Sequence, residues 1–161
     1  MQPLATIRGW QLDKLNKDIS IIGYLLQTAS TDDVRTYRDG GNGWTVLEVM
    51  GHLRDYEPIF IERARLILTE EFPPLPNPNP DELAVTNQYN QQDIQAVYSA
   101  WSESRREFLK VLEGVAEDDW ERAGNHPRRG HFTLNDVLLL TAWHDVNHIE
   151  QMARTLAEKK G

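Results

Sequence analysis

The chain has 161 residues, 40% apolar and 26% charged, with five Trp, no Cys and a formal net charge of -8. That length suffices for one domain with its own core, and the acidic balance, spread along the chain, offers no basic footprint to nucleic acid or anionic lipid. Without cysteine there are no disulfides, thiolate metal sites or cysteine nucleophiles, so any metal must be held by nitrogen and oxygen.

The opening MQPLATIRGWQLDKLNKD becomes amphipathic and charged where a secretory signal would stay apolar. No stretch reaches the roughly 20 apolar residues that span a bilayer, and the expectation is a single cytoplasmic domain over residues 1–161. From about Thr6 to Thr28, Ile7, Trp10, Leu15, Ile19, Ile22, Leu25 and Leu26 recur at threes and fours, which predicts a first helix. A second opens at GNGWTVLE, where Thr45 and Glu48 form a capping box, and runs to about Glu70. Pro58 lies inside it and predicts a kink near Arg54 to Pro58.

The segment EFPPLPNPNPDE carries five prolines and is expected to be an extended surface connection. From Glu71 to Thr86 it could reach roughly 50 Å, against about 39 Å for a helix of about 26 residues. Such a connection can traverse a bundle, which lets the second and third helices run parallel. The third helix is predicted over about Asn87 to Glu113, with Ile94, Tyr98, Trp101, Phe108 and Leu112 on its buried side. A loop through EDDWERAGNHPRRGHF follows; its His126, His131, Arg128 and Arg129 read as exposed, with an anion-holding role for the two arginines as the alternative. Thr133, with Asp136 three residues on, caps a fourth helix continuing to Lys159. No β-alternation of useful length appears, so the expected architecture is an all-α four-helix bundle with a long Pro-rich connection between helices two and three.

Each helical residue advances by about 100°, so directions follow from the offset to each cap. His52, seven residues after Thr45, lies at about -20°, alongside Val49, Tyr56 and Phe60. His144 and His148, eleven and fifteen residues after Thr133, lie at about 20° and 60°, near Val137 and Leu140. All three read as inward-facing. Asn147 and Gln151 are assigned to the same side of the last helix, making a polar run where a plain bundle would place Leu or Ile. Burying such groups without partners costs several kcal/mol. A metal ion bound by the imidazoles, with Asn147 and Gln151 orienting ligands or touching a bound molecule, accounts for the pattern; a closed hydrogen-bond network or a water-filled groove would also do so. Asp55 and Tyr56, near His52, are candidate catalytic groups, with a solvated carboxylate and a core aromatic as the competing readings. Glu48 is already committed to its cap.

WTVLEVMGHLRDYE, RARLILTEEFPPLP, NHPRRGHFTLNDVL and HDVNHIEQM, in this order, give the chain a further signature. It resembles the DinB/YfiT-like superfamily, bacterial four-helix bundles regarded as metal-dependent enzymes. The resemblance implies that His52, His144 and His148 bind a divalent metal, Zn²⁺ first, with Ni, Fe or Mn open because imidazole suits several. It also implies a small-molecule substrate, with hydrolysis through a bound water or transfer of a low-molecular-weight thiol such as bacillithiol or mycothiol, and a homodimer. Glu150 departs from the small residue that many relatives carry between the second histidine and the glutamine. The competing class is a non-catalytic, stress-associated bundle that binds a ligand or partner.

Overall fold

The computed structural model describes residues 3–158. Its elements are α1 (Leu4–Gln27), α2 (Thr31–Thr36), α3 (Val46–Thr69), α4 (Pro80–Thr86), α5 (Ile94–Glu113), β1 (Ala123–His126), β2 (Gly130–Thr133) and α6 (Leu134–Glu158). Helices α1, α3, α5 and α6 make the four-helix bundle. Lys159, the expected last residue of the final helix, lies outside the described residues.

Both foreseen caps are present. Thr45 Oγ1 accepts from Glu48 N at 3.1 Å while Glu48 returns to Thr45 N at 2.8 Å, and Asp136 accepts from the backbone and hydroxyl of Thr133, each at 2.8 Å. Helix α3 runs through Pro58 without interruption. Beyond its end the proline segment doubles back along α3: Arg63 holds Pro76 O at 2.9 Å, Tyr56 donates to Pro78 O at 2.6 Å, and Asn87 reaches Asp55 at 2.7 Å. The chain therefore begins α5 at the end where α3 began. Thr45 meets Asn90, Glu57 meets Arg105 and Arg65 meets Glu107, so α3 and α5 are parallel. Arg8 with Asn135 and Lys14 with Ala142 O make α1 and α6 parallel too. The two pairs run in opposite senses, since Arg105 reaches Leu15 O at 3.4 Å and Tyr98 reaches Ile19 O at 2.8 Å.

Four sequence expectations change. The Pro-rich connection is not extended throughout: Pro80 occupies the first turn of α4, where a missing N–H costs nothing, and Asn79 caps it. The third helix begins at Ile94, not Asn87, because Gln88 takes a left-handed conformation (φ 48°) and Asp93 caps α5 by accepting from Ala96 N at 2.8 Å. The loop before α6 contains an antiparallel hairpin of four-residue strands, too short for alternation to register. It docks on the linker, with Leu75 N donating to Asn125 O at 3.0 Å and Asn125 N to Pro73 O at 2.7 Å. Gly124 permits this approach, since a Cβ there would come within 2.7 Å of Leu75. Trp10, assigned to the buried face of the first helix, is instead exposed, and the buried residue nearby is Arg8.

The core divides into an end built on Phe60, Ala64, Phe108 and Val137 and an end built on Val46, Met50, Trp101 and Met152. Between them lies a fully buried guanidinium. Arg105 of α5 bonds both oxygens of Glu57 on α3, at 2.6 and 2.7 Å, and both of Asp145 on α6, at 2.5 and 3.1 Å. Burial pushes the Glu57 carboxyl above its ordinary range, and Arg105 opposes that rise. Removing one partner from such a group strands the others. Arg105→Met is expected to destabilise the protein by about 3–5 kcal/mol in urea unfolding, and Arg105→Lys to restore little of it, because an ammonium cannot serve two carboxylates in bidentate fashion. A loss under about 1 kcal/mol for either variant would contradict this account.

Candidate metal centre

The capping box fixes the start of α3, and Arg38 adds an ion pair to Glu48 at 3.0 Å. Seven residues later His52 projects toward α6 and meets His144 and His148, one turn apart on that helix. The His52 and His144 Nε2 atoms lie 2.8 Å from one another, and the three rings have centroids 4.9, 4.8 and 4.4 Å apart. One ring nitrogen from each residue lies within 4.8 Å of the others. Trp44, Tyr56 and Phe60 enclose the cluster.

Burial holds all three imidazoles neutral. It pushes His52 down to about 3 with help from His148, and it lowers His144 and His148 as well. His148 Nδ1 lies 2.9 Å from Gln151 Oε1, and Gln151 Nε2 donates to Asp39 at 3.1 Å. Since Asp39 fixes the amide, Oε1 must face the histidine, Nδ1 carries the proton, and Nε2 keeps its lone pair. Asp39 is in turn held by Arg154, which also pairs with Glu150. Glu150 thus bears on the site through a surface network. The Nδ1 atoms of His52 and His144 are buried without a partner among the described residues.

The donor set fits a cation. Two neutral imidazoles whose Nε2 atoms face each other at hydrogen-bond distance can use only one proton between them, and a third lone pair lies nearby. With that shared proton displaced, three ring lone pairs within 4.8 Å of one another, with no carboxylate among them, suit a borderline divalent ion.

The other sequence candidates have different places and partners. Asn147 is exposed and donates to Trp143 O at 2.6 Å, so it is not part of the cluster. The buried residues of α6, among them Thr141, Asp145 and Met152, centre about 100° round from its cap, whereas Asn147 lies at about -40°; the histidines stand on the flank of the buried face, and taking them as its centre misplaced Asn147. Asp55 is bonded to Arg54, Asn87 and Tyr89, which outweigh burial and hold its carboxyl below the usual range, and it anchors the chain returning to α5. The Tyr56 ring lies 4.5 Å from that of His52, with its hydroxyl committed to Pro78 O. Its pKa is raised by burial. His131 is exposed beside Phe72, but His126 is buried and its Nδ1 accepts from Arg128 N at 3.2 Å. Sequence reasoning missed Asp39, which opens a short 3-10 turn (Asp39–Gly41) remote in the chain.

A family model described as the DinB superfamily matches residues 21–152. The chain belongs to the DinB superfamily. A relative of this DinB protein in Oceanobacillus iheyensis, named "Putative metal-dependent hydrolase OB0782", is 29% identical over 125 residues, 78% of this chain and 70% of the relative. YfiT of Bacillus subtilis, named in the same way, is 29% identical over 114 residues, 70% of this chain and 63% of its own length. The solved structure of YfiT, described as a "probable metal-dependent hydrolase with an unusual four-helix bundle topology", matches with a TM-score of 0.86 at 24% identity, covering 96% of this chain and 87% of that one. A mycothiol-dependent maleylpyruvate isomerase shares the fold with a TM-score of 0.74 at 13% identity, over 90% of this chain and 60% of the isomerase. Among the described residues no helix is long and apolar enough to cross a membrane.

The depressed His52 pKa has a signed consequence for metal-free protein. Unfolded histidine titrates near 6.5 and folded His52 near 3, so as pH falls between these values the unfolded chain takes up a proton that the folded chain refuses. This contribution to stability is present above pH 6.5 and is lost toward pH 3. Thermal melts in chelator are expected to show His52→Asn gaining on wild type as pH falls from about 7 to about 4. A difference in Tm that stays constant with pH would show that His52 is not held neutral.

Proposed function

We propose that this DinB protein is a metalloenzyme in which His52, His144 and His148 hold one divalent ion, Zn²⁺ in the first instance. The observation that carries the reading is the convergence of three neutral imidazoles, with two Nε2 atoms 2.8 Å apart. An ion held by three protein nitrogens keeps a coordination position for an exogenous ligand, and there it would supply Lewis acidity to lower the pKa of a water or a thiol. The protein's own residues do the rest. Gln151, held by Asp39, fixes the His148 tautomer; Trp44, Tyr56 and Phe60 exclude water from the flank of the cluster. Hydrolysis is supported by the names of the relatives, and thiol chemistry by the fold shared with a mycothiol-dependent isomerase.

Protein purified without immobilised nickel is expected to contain about one ion per chain by elemental analysis and to lose it in His148→Ala. Metal-free protein whose stability is unchanged by added Zn²⁺ would sink the reading in favour of a non-catalytic ligand-binding bundle. Gln151→Ala is expected to weaken metal affinity by about 10–100-fold while leaving the fold intact by circular dichroism. With metal-loaded protein, turnover of ester or amide substrates without added thiol selects hydrolysis; conjugation of a chlorinated aromatic that needs both thiol and metal selects transfer.

A further inference from the structure

Beside the three imidazoles lies a cavity of about 450 Å³ that His144 helps to line. Its lining is segregated by chemistry. Phe60, Leu140 and Trp143 supply apolar surface; Arg63, Arg128, Arg129 and His126 supply the cationic and polar part, and no lining residue is acidic. In a chain with 25 acidic and 17 basic residues, that is a local inversion of the overall charge.

Arg63 is the informative member. It is 1% exposed, yet its Nε and Nη2 go to neutral acceptors, Pro76 O at 2.9 Å and Asn77 Oδ1 at 3.2 Å, and Nη1 makes no hydrogen bond among the described residues. No carboxylate of the described residues pairs with it, in contrast to Arg105, which has two. A buried guanidinium without a counter-ion is costly to keep. Arg128 and Arg129, at the turn of the hairpin, also form no ion pair with described residues. Their combined field is felt at His126, whose pKa is lowered by burial and then by Arg63, Arg129 and Arg128.

We propose that this cavity binds the oxyanion group, carboxylate or phosphate, of an organic molecule whose apolar body lies against Phe60 and Trp143. Arg63 supplies the buried half of the anion site and the two hairpin arginines the outer half, and the planar forks of arginine match both oxyanions. The remainder of the molecule is then directed at His144 and its neighbours. As a statement about substrate class, this rests on the reading of the three-histidine cluster as the reactive centre.

The test uses whole protein stripped of metal by chelator, so that a carboxylate cannot bind through an ion, and calorimetric titration with benzoate, phenyl phosphate and neutral benzamide. At least one anion is expected to bind roughly tenfold or more tighter than benzamide, and that advantage to vanish in the Arg128→Gln/Arg129→Gln variant. Which anion is preferred separates carboxylate from phosphate. Arg63→Gln would also release the linker, so the exposed hairpin pair carries the test. Two anions no tighter than benzamide, or an advantage that survives the double substitution, would overturn the proposal. Metal content of the same preparations before chelation reads the other question: anion preference without a metal site removes the metalloenzyme reading alone, and a metal site without anion preference removes this one alone.

Discussion

One guanidinium ties the bundle together. Arg105 on α5 touches Glu57 on α3, Asp145 on α6 and Leu15 O on α1, so all four helices meet at a single group. Hydrophobic packing is non-directional and tolerates sliding. Four short charge-assisted bonds do not, because each depends on distance and angle. Asp145 adjoins His144 in sequence, and Glu57 lies little more than a turn beyond His52. The clamp that sets the height of α3 against α6 therefore also sets how closely the His52 and His144 rings approach. Next to it, burial and a hydrogen bond to Asp145 push the Asp18 carboxyl up to about 7, against the opposing pull of Lys14. The midsection of the bundle is thus polar and mutually constrained, while both ends are apolar.

Long periodic segments with strong caps were legible from the sequence because each signal is local. Thr45 with Glu48 and Thr133 with Asp136 begin helices as hydrogen-bond arithmetic requires. The crossover was legible from length and proline content, since few routes exist for such a segment. What escaped is instructive. Asp145 stands seven residues from both Leu138 and Met152, and Glu57 seven from both Met50 and Ala64, so each lies in an apolar stripe where a carboxylate needs a partner. That signal was available, and following the stripe instead of the histidines would have placed Asp145 inside and Asn147 outside. The hairpin and the contact of Asp39 with Gln151 had no such signal, since one is too short to show a period and the other joins residues 112 apart.

The site borrows from elements with other duties. The linker that lets α3 and α5 run parallel also accepts hydrogen bonds from Arg63 and from the hydroxyl of Tyr56, and so walls the cavity beside the imidazoles. The hairpin packed on that linker delivers His126 and two arginines to the same space. Topology and cavity are thus one construction: a bundle with a short α3–α5 turn would have neither the wall nor the hairpin's seat.

That construction has a kinetic consequence. The His52 to His144 contact spans 92 residues, and the parallel pairing of α3 with α5 requires the linker to run back along α3. Loop-closure entropy must be met before such contacts return any stability, so their formation comes late and slowly relative to helix formation. During synthesis from the amino end, α1, α3 and α5 are all made before the last helix emerges, and until then Glu57 and Arg105 lack Asp145 and His52 lacks both of its partners. The cluster of imidazoles is therefore a feature of the finished chain only, closed by the arrival of α6.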